Sequence, residues 1–419
     1  MHLCLFEDSL ATNFLPLAHF RPVYDLRCGI LTLRDKAIHY ISPESASLHV
    51  RQYLAPLLSQ ENPGIQVNAI SGRSCLLLNG RCIMTAKVAK ALRNARPDTL
   101  FVSGQEIAGA LLTGDALADL RNSLPTDAID LTRLGSVASV EVGASFVRYP
   151  WDLVHANERE IENDFVQLTR KAKQQPLRKG KIHKSAVLIN KKRVAIGRDS
   201  LVSAGAVLDA SAGPIYVGSG VKVFPTAVIE GPCYIGDGTL IKIGAKIYGN
   251  TSIGPMCKVG GEVEHSIIHS HTNKQHDGFL GHSYLSMWVN LGAGTTTSNL
   301  KNTYGSIKVY VNGSMVDSGK MFVGLTAGDH VKTGINSTLD TGTVVGPSSN
   351  IYGTMLPPKF VPSFSWGDAR HFETYDVEKA LAVAVKVMGR RNVTASAEYQ
   401  RLFRQIFTMT AHERTTHST

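Results

Sequence analysis

The 419-residue chain has little of what most easily betrays a function. It has six cysteines (Cys4, Cys28, Cys75, Cys82, Cys233 and Cys257), with no CxxC pair and no metal-ligand spacing, which argues against a zinc ribbon or a disulfide framework. No run of 18 apolar residues occurs, so no membrane-spanning helix is expected. The N-terminus, Met1-His-Leu-Cys-Leu-Phe-Glu-Asp, carries acid where an export signal needs base, and a reducing cytoplasm is the expected location. Charged residues are 19% and aromatics 7% of the chain, against 43% hydrophobic, a balance that excludes wholesale disorder and allows a sizeable core. Net charge is +10, but the densest basic stretch, Arg170 to Arg193, lacks interleaved aromatics that would stack on bases. A solvated linker, or attraction of small anionic substrates, fits that stretch better than a nucleic-acid partner.

Length points to two or three domains. Residues 1 to about 175 alternate short apolar stretches of strand length (Met1 to Phe6, Thr99 to Ser103) with helical patterns (Asp115 to Asn122, Asn157 to Lys173), predicting an α/β domain. The basic polar segment from Gln174 to Gly180, with Pro176, marks a boundary.

Beyond it, every sixth residue from Val217 is aliphatic: Val217, Val223, Ile229, Ile235, Ile241, Ile247, Ile253 and Val259. Four residues after each stands a small or β-branched one, from Val221 and Ala227 to Cys257 and Val263. Period six means one short strand and one turn per hexad, with the aliphatic residue pointing into a prism walled by parallel strands, and no coil is stable alone. The register extends back to Ile196, Val202 and Leu208, resumes at Phe279, Leu285 and Leu291, and returns loosely at Val323, Ile335, Val345 and Ile351. Two polar interruptions, 265–278 and 300–322, are expected to project as loops, where function usually sits. The solenoid is thus assigned to 182–366. Residues 367–419 are predicted helical, with Val377, Leu381, Ala384, Val385 and Met388 on one face and Tyr399, Leu402, Phe403, Ile406 and Phe407 on another, capping the solenoid end. Asp329, His330 and Lys332 fall in or beside a solenoid turn, as a polar corner or a functional one.

Three strings carry a resemblance: Phe14-Leu-Pro-Leu-Ala-His-Phe-Arg-Pro-Val-Tyr-Asp-Leu-Arg-Cys-Gly, Asn273-Lys-Gln-His-Asp-Gly-Phe-Leu-Gly-His-Ser and Val289-Asn-Leu-Gly-Ala-Gly-Thr. With Val259-Gly-Gly-Glu-Val-Glu they resemble the bifunctional family of N-acetylglucosamine-1-phosphate uridyltransferase and glucosamine-1-phosphate acetyltransferase, nearest its sugar nucleotidyltransferase branch. That resemblance implies a nucleotidyltransferase-like α/β domain, a left-handed parallel β-helix of acyltransferase type, a homotrimer, acetyl-CoA as acyl donor, and Mg²⁺ accompanying a nucleoside triphosphate. It implies sugar 1-phosphates and nucleotides as small-molecule partners, in the making of envelope polysaccharide precursors. It implies His276 as the base that takes a proton from a sugar amine and Asn290 beside it, with Asn299, Lys274, Phe279 and Arg21 at the substrate. Gly292 and Ala293 would line the coenzyme A slot. Asn and His also stabilise solenoid turns through backbone hydrogen bonds, a structural reading of the same residues.

Departures from the family pattern are specific. Phe279 replaces the family's tyrosine, so a hydroxyl is missing. Set on Pro16-Leu17 and Pro22, the Gly-rich phosphate loop reads Phe6-Glu-Asp-Ser-Leu-Ala-Thr-Asn-Phe-Leu-Pro-Leu: the glycines are gone, Asn13 stands at the arginine position and Val23 at the lysine. Arg21, Arg27 and Lys36 are the candidate replacements for the missing positive charge, and Asp8 or Asp25 the candidate Mg²⁺ ligands. Two further readings stand beside the bifunctional enzyme: an acyltransferase with a degenerate N-terminal domain, and a non-catalytic trimeric scaffold that binds a sugar nucleotide.

Overall fold

The computed structural model describes residues 1–134, 137–170, 178–353 and 355–415. The N-terminal domain is built on a seven-stranded sheet in the order Gln66–Val67, Ser45–Leu48, His2–Phe6, Ser74–Asn79, Glu106–Thr113, Thr99–Ser103, Ala138–Glu141. The first four run parallel, and Glu106–Thr113 is antiparallel to both its neighbours. The run Leu3-Cys-Leu-Phe is buried on both faces, which is why it reads as continuous apolar sequence rather than an alternation. The two helical patterns become Gly114–Ser123 and a 21-residue helix, Pro150–Arg170. The sequence boundary expected at 174–180 falls largely on residues 171–177, outside the described residues.

From Lys181 onward, three parallel sheets wrap a prism, the longest of nine strands from Val194–Ile196 to Phe360–Val361. The aliphatic hexad residues stack coil on coil at eighteen-residue intervals: Val217 on Ile235 on Ile253, Val223 on Ile241 on Val259, Ile229 on Ile247. All eight are at most 1% exposed. Many corners are turned by a residue with positive φ, and these residues form ladders along the prism. One ladder is largely glycine (Gly244, Gly261, Gly278, Gly294), a second runs Met256, His271, Trp288, His330, and a third runs Asn250, His265, His282. Glycine is required at 294, where φ is +73° and a Cβ would lie 2.0 Å from Asn336 Oδ1.

Two expectations are corrected here. Residues 265–278 do not project: after Ile253 the coils shorten, so Ile268 pairs with Ile253 and Lys274 with Val259 only fifteen residues on. That contraction shifts the register, so Leu280 rather than Phe279 points inward, and Ile335 is 72% exposed at a corner. The interruption at 300–322 does leave the prism, as the antiparallel hairpin Lys308–Val311/Ser314–Asp317. It folds back, burying Ile307, Val309 and Val311 with Trp151 and Val344, and stacking Tyr310 on Phe360.

The C-terminal helices Val377–Gly389 and Ala397–Met409 lie along the flank of the prism rather than over its end. Leu381, Met388, Leu402 and Phe403 share one core with Leu17 and Leu54 of the N-terminal domain and Trp288 of the prism. Their apolar faces are spent on that three-way junction, and Val385, predicted on the buried face, is 39% exposed.

A buried ion cluster fixes the long helix to the N-terminal domain. Lys36 Nζ, fully buried, lies 3.0 Å from Glu160 and 2.5 Å from Asp164, and Asp164 Oδ2 also accepts from the backbone N–H groups of Ile30 and Leu31. Gly29, at φ +86°, passes so close that a Cβ would sit 2.6 Å from Asp164 Oδ2. Removing Lys36 leaves two buried carboxylates without their shared counter-charge, so Lys36→Met is expected to cost about 3–5 kcal/mol in urea unfolding. A loss under about 1 kcal/mol contradicts this role.

Candidate functional site

The residues expected at the acyl-transfer site divide between two corners of the prism. At the glycine corner, His276 is exposed, and its side chain makes no hydrogen bond among the described residues. Its backbone is fixed: Lys274 Nζ donates to the carbonyls of Gly260, His276 and Gly278 at 3.0, 2.9 and 2.6 Å. Gly294 N–H donates to the Asp277 carbonyl at 3.0 Å, so Gly292 and Ala293 sit on the coil directly beside His276. Gly292 is held tight to the following coil, with a Cβ there 2.4 Å from the Gly334 carbonyl oxygen.

Lys274 occupies the inward column between Val259 and Leu291, where an aliphatic residue is otherwise the rule, and is 2% exposed. Burial pushes its ammonium down to about 8. It therefore serves the frame of the corner, whereas the substrate role was its expected one. Asn290 accepts from Asn273 Nδ2 at 3.3 Å, and Arg391 of the C-terminal segment donates to Asn273 Oδ1 at 2.6 Å. Phe279 lies partly exposed on the outer face of its strand.

Asn299 sits at a different corner. Its Nδ2 is 3.2 Å from Glu264 Oε1 and 3.0 Å from His282 Nδ1. The His282 ring stacks on His265 at 4.6 Å and on Phe322 at 4.9 Å. Burial, then the nearby His265 and His155, depress His282 to about 3, so it is neutral. Sequence reasoning missed this group. Its signal was the seventeen-residue separation of His265 and His282, which equals one coil here and so stacks them.

Arg21 and its companions are corrected as well. Arg21 grips Asp329 through both guanidinium nitrogens at 2.8 and 2.5 Å and donates to Ser286 at 2.6 Å, pinning the N-terminal domain to the prism. Lys36 is spent on Asp164 and Glu160, and Arg27 lies over the Tyr234 ring. His330, in the same turn as Asp329, bonds Tyr399 Oη at 2.6 Å. Arg21 thus faces the junction with the prism, while Lys36 is committed inside the N-terminal domain to two carboxylates of the long helix. Asp25 likewise faces Arg34 at 2.7 Å, and burial raises it to about 7.

The N-terminal domain has its own cavity of about 270 Å³ at the carboxyl ends of its central strands, lined by Asp8, Asn79, Arg81, Glu106 and Ile129 among others. Both Asp8 oxygens accept from Arg81, at 2.6–3.1 Å, and Asn79 Nδ2 also donates to one of them at 2.9 Å. Arg81 pairs with Glu106 as well, at 2.9 Å. A carboxylate so neutralised does not fit a divalent cation.

Residues 3–173 match the family model described as sugar nucleotidyl transferase. The chain is also 37% identical over 91 residues to a bifunctional sugar-1-phosphate nucleotidylyltransferase/acetyltransferase of Sulfurisphaera tokodaii, covering 22% of this chain and 23% of that one. It is 34% identical over 105 residues to the bifunctional protein GlmU of Methanococcus vannielii, covering 25% of each. The chain thus spans about a quarter of the length of these relatives. A solved UDP-N-acetylglucosamine acyltransferase from Francisella novicida overlays on 52% of this chain and 73% of its own, at 15% identity and a TM-score of 0.27. Among the described residues, no helix is long and apolar enough to cross a membrane.

The lowered Lys274 gives a signed prediction. An ammonium with a folded pKa below its unfolded value makes the unfolded state bind more protons between about pH 8 and 10.5, so it adds stability as pH rises through that window. The wild-type melting temperature should therefore gain on that of Lys274→Met between pH 8 and 10; parallel curves contradict the burial of this charge.

Proposed function

We propose that this chain makes activated amino-sugar precursors for envelope polysaccharide, acetylating an amino-sugar 1-phosphate at the prism and joining it to a nucleotide in the sugar nucleotidyl transferase domain. The observation that carries the acyl-transfer half is the glycine corner: an exposed imidazole at 276, on a backbone locked by Lys274, beside the close-packed turn of Gly292 and Ala293 on the next coil. There the sugar amine attacks the acetyl thioester, a C–N bond forms and the C–S bond breaks. His276 takes the amine proton and coenzyme A leaves as the thiol. Asn290 and Asn299 stand on different faces of one prism, so in this reading a neighbouring copy completes the site and the working form is a cytoplasmic homotrimer.

A specific observation supports the acyltransferase-only reading for the other half. Arg21, Lys36 and Arg81 are all paired with carboxylates, so the charges that would grip a triphosphate are already committed. The scaffold reading predicts nucleotide binding with no turnover of any kind.

Incubation with acetyl-CoA and a panel of amino-sugar 1-phosphates should release free thiol in a sugar-dependent manner, with a loss of at least about 100-fold in His276→Ala. No release with any sugar, or full release by the variant, overturns the proposal. In parallel, pyrophosphate release from a nucleoside triphosphate and a sugar 1-phosphate with Mg²⁺ separates the bifunctional enzyme from the acyltransferase alone.

A further inference from the structure

The third corner ladder collects donors that the proposed acyl transfer does not use. Glu264, His265 and His282 each bring one ligand atom to within 4.8 Å of the other two, and Glu264 Oε1 is 3.9 Å from His282 Nδ1. Coil geometry enforces the convergence: His265 and His282 turn the same corner on successive coils, with φ of +43° and +45°. Glu264 ends the strand that leads into that corner.

Two details give the cluster a preference for a cation. Asn299 Nδ2 donates to both Glu264 Oε1 and His282 Nδ1, so one partial positive charge already sits where two lone pairs meet. Beside it, Asn250 Nδ2 lies 2.8 Å from His265 Nε2, while Asn250 Oδ1 and His265 Nδ1 are both buried with no hydrogen-bond partner among the described residues. Amide nitrogen and oxygen are assigned from their bonding network, and turning the Asn250 amide over resolves the first orphan. Its oxygen then accepts from Nε2–H, which is the usual outer support of a metal-bound histidine and leaves Nδ1 as a buried lone pair.

We infer that Glu264, His265 and His282 form a binding site for a divalent transition-metal ion of the zinc type. Two imidazoles and a carboxylate match Zn²⁺ in donor chemistry, and three protein ligands leave a coordination position open. Zinc's ligand atoms stand about 3.3 Å apart in a tetrahedron with bonds of roughly 2 Å, so the donors must close by up to about 1.5 Å and the stacked His265 and His282 rings must turn to aim both lone pairs at one ion. Glu264, with 30% of its side chain exposed, has the freedom to close. The aromatic corner offers no such site, since His271 faces the Trp288 ring and His330 is bonded to Tyr399.

The full-length protein, stripped with chelator and desalted, is titrated with Co²⁺ while its visible absorption is followed, and zinc retained per chain is measured after gel filtration. One equivalent of zinc and a cobalt absorption band are expected. Glu264→Gln, which keeps the shape of the side chain and an acceptor for Asn299, should weaken zinc binding about tenfold or more, and His282→Ala should abolish the band. Absence of metal from the wild type, or retention unchanged in both variants, overturns the assignment. An unaltered melting temperature in Glu264→Gln confirms that lost binding is not lost fold.

Discussion

Everything in this molecule hangs on the vertical register of the prism. Parallel strands stack only if equivalent residues of successive coils meet, and burying an aliphatic side chain at every inward position stabilises that match by about 1.5–3 kcal/mol per residue before chain entropy is subtracted. The same register aligns whatever stands at the corners. A ladder of glycines makes one corner close-packed and backbone-lined, a ladder of rings makes the second a docking face, and a ladder of amide and imidazoles makes the third a cluster of donors. The chemistry of each corner follows from which residue stands at the turn of each coil, and the stacking persists as the coils change from eighteen residues to fifteen and seventeen.

The aromatic corner explains why N-terminal domain, prism and C-terminal helices form one body. Phe20 stacks on Tyr399, Tyr399 bonds His330, and Phe403 and Trp288 complete the apolar junction. Arg21 crosses the same junction to Asp329. This use of arginine, lysine and carboxylate leaves the N-terminal cavity with a closed network of Asp8, Arg81 and Glu106 in place of a glycine-rich phosphate cradle.

What was legible in the sequence was what repeats locally. The hexads from Val217 to Val259 named the inward column residue by residue, because a buried column tolerates only apolar side chains. The strands His2–Phe6 and Thr99–Ser103 were legible as apolar runs of strand length. The coil contraction at 265–278 was not, because polar sequence reads as a projecting loop unless the inward lysine is recognised as aliphatic stem with a capped head. Nor was the fate of Arg21, whose partner lies 308 residues away and leaves no periodic trace. His276, Gly292 and Ala293 were expected through resemblance, and the structure places them on neighbouring coils. Glu264, His265 and His282 were overlooked because a spacing of one coil means nothing until the coil length is known.

The central claim is that the glycine corner is where an acyl donor is held. Hydrogen–deuterium exchange of the whole protein, with and without coenzyme A, tests it most directly. The account predicts added protection confined to the segments around 276–279 and 290–295; protection that appears instead around 6–10, 79–81 and 105–107, or nowhere, contradicts it.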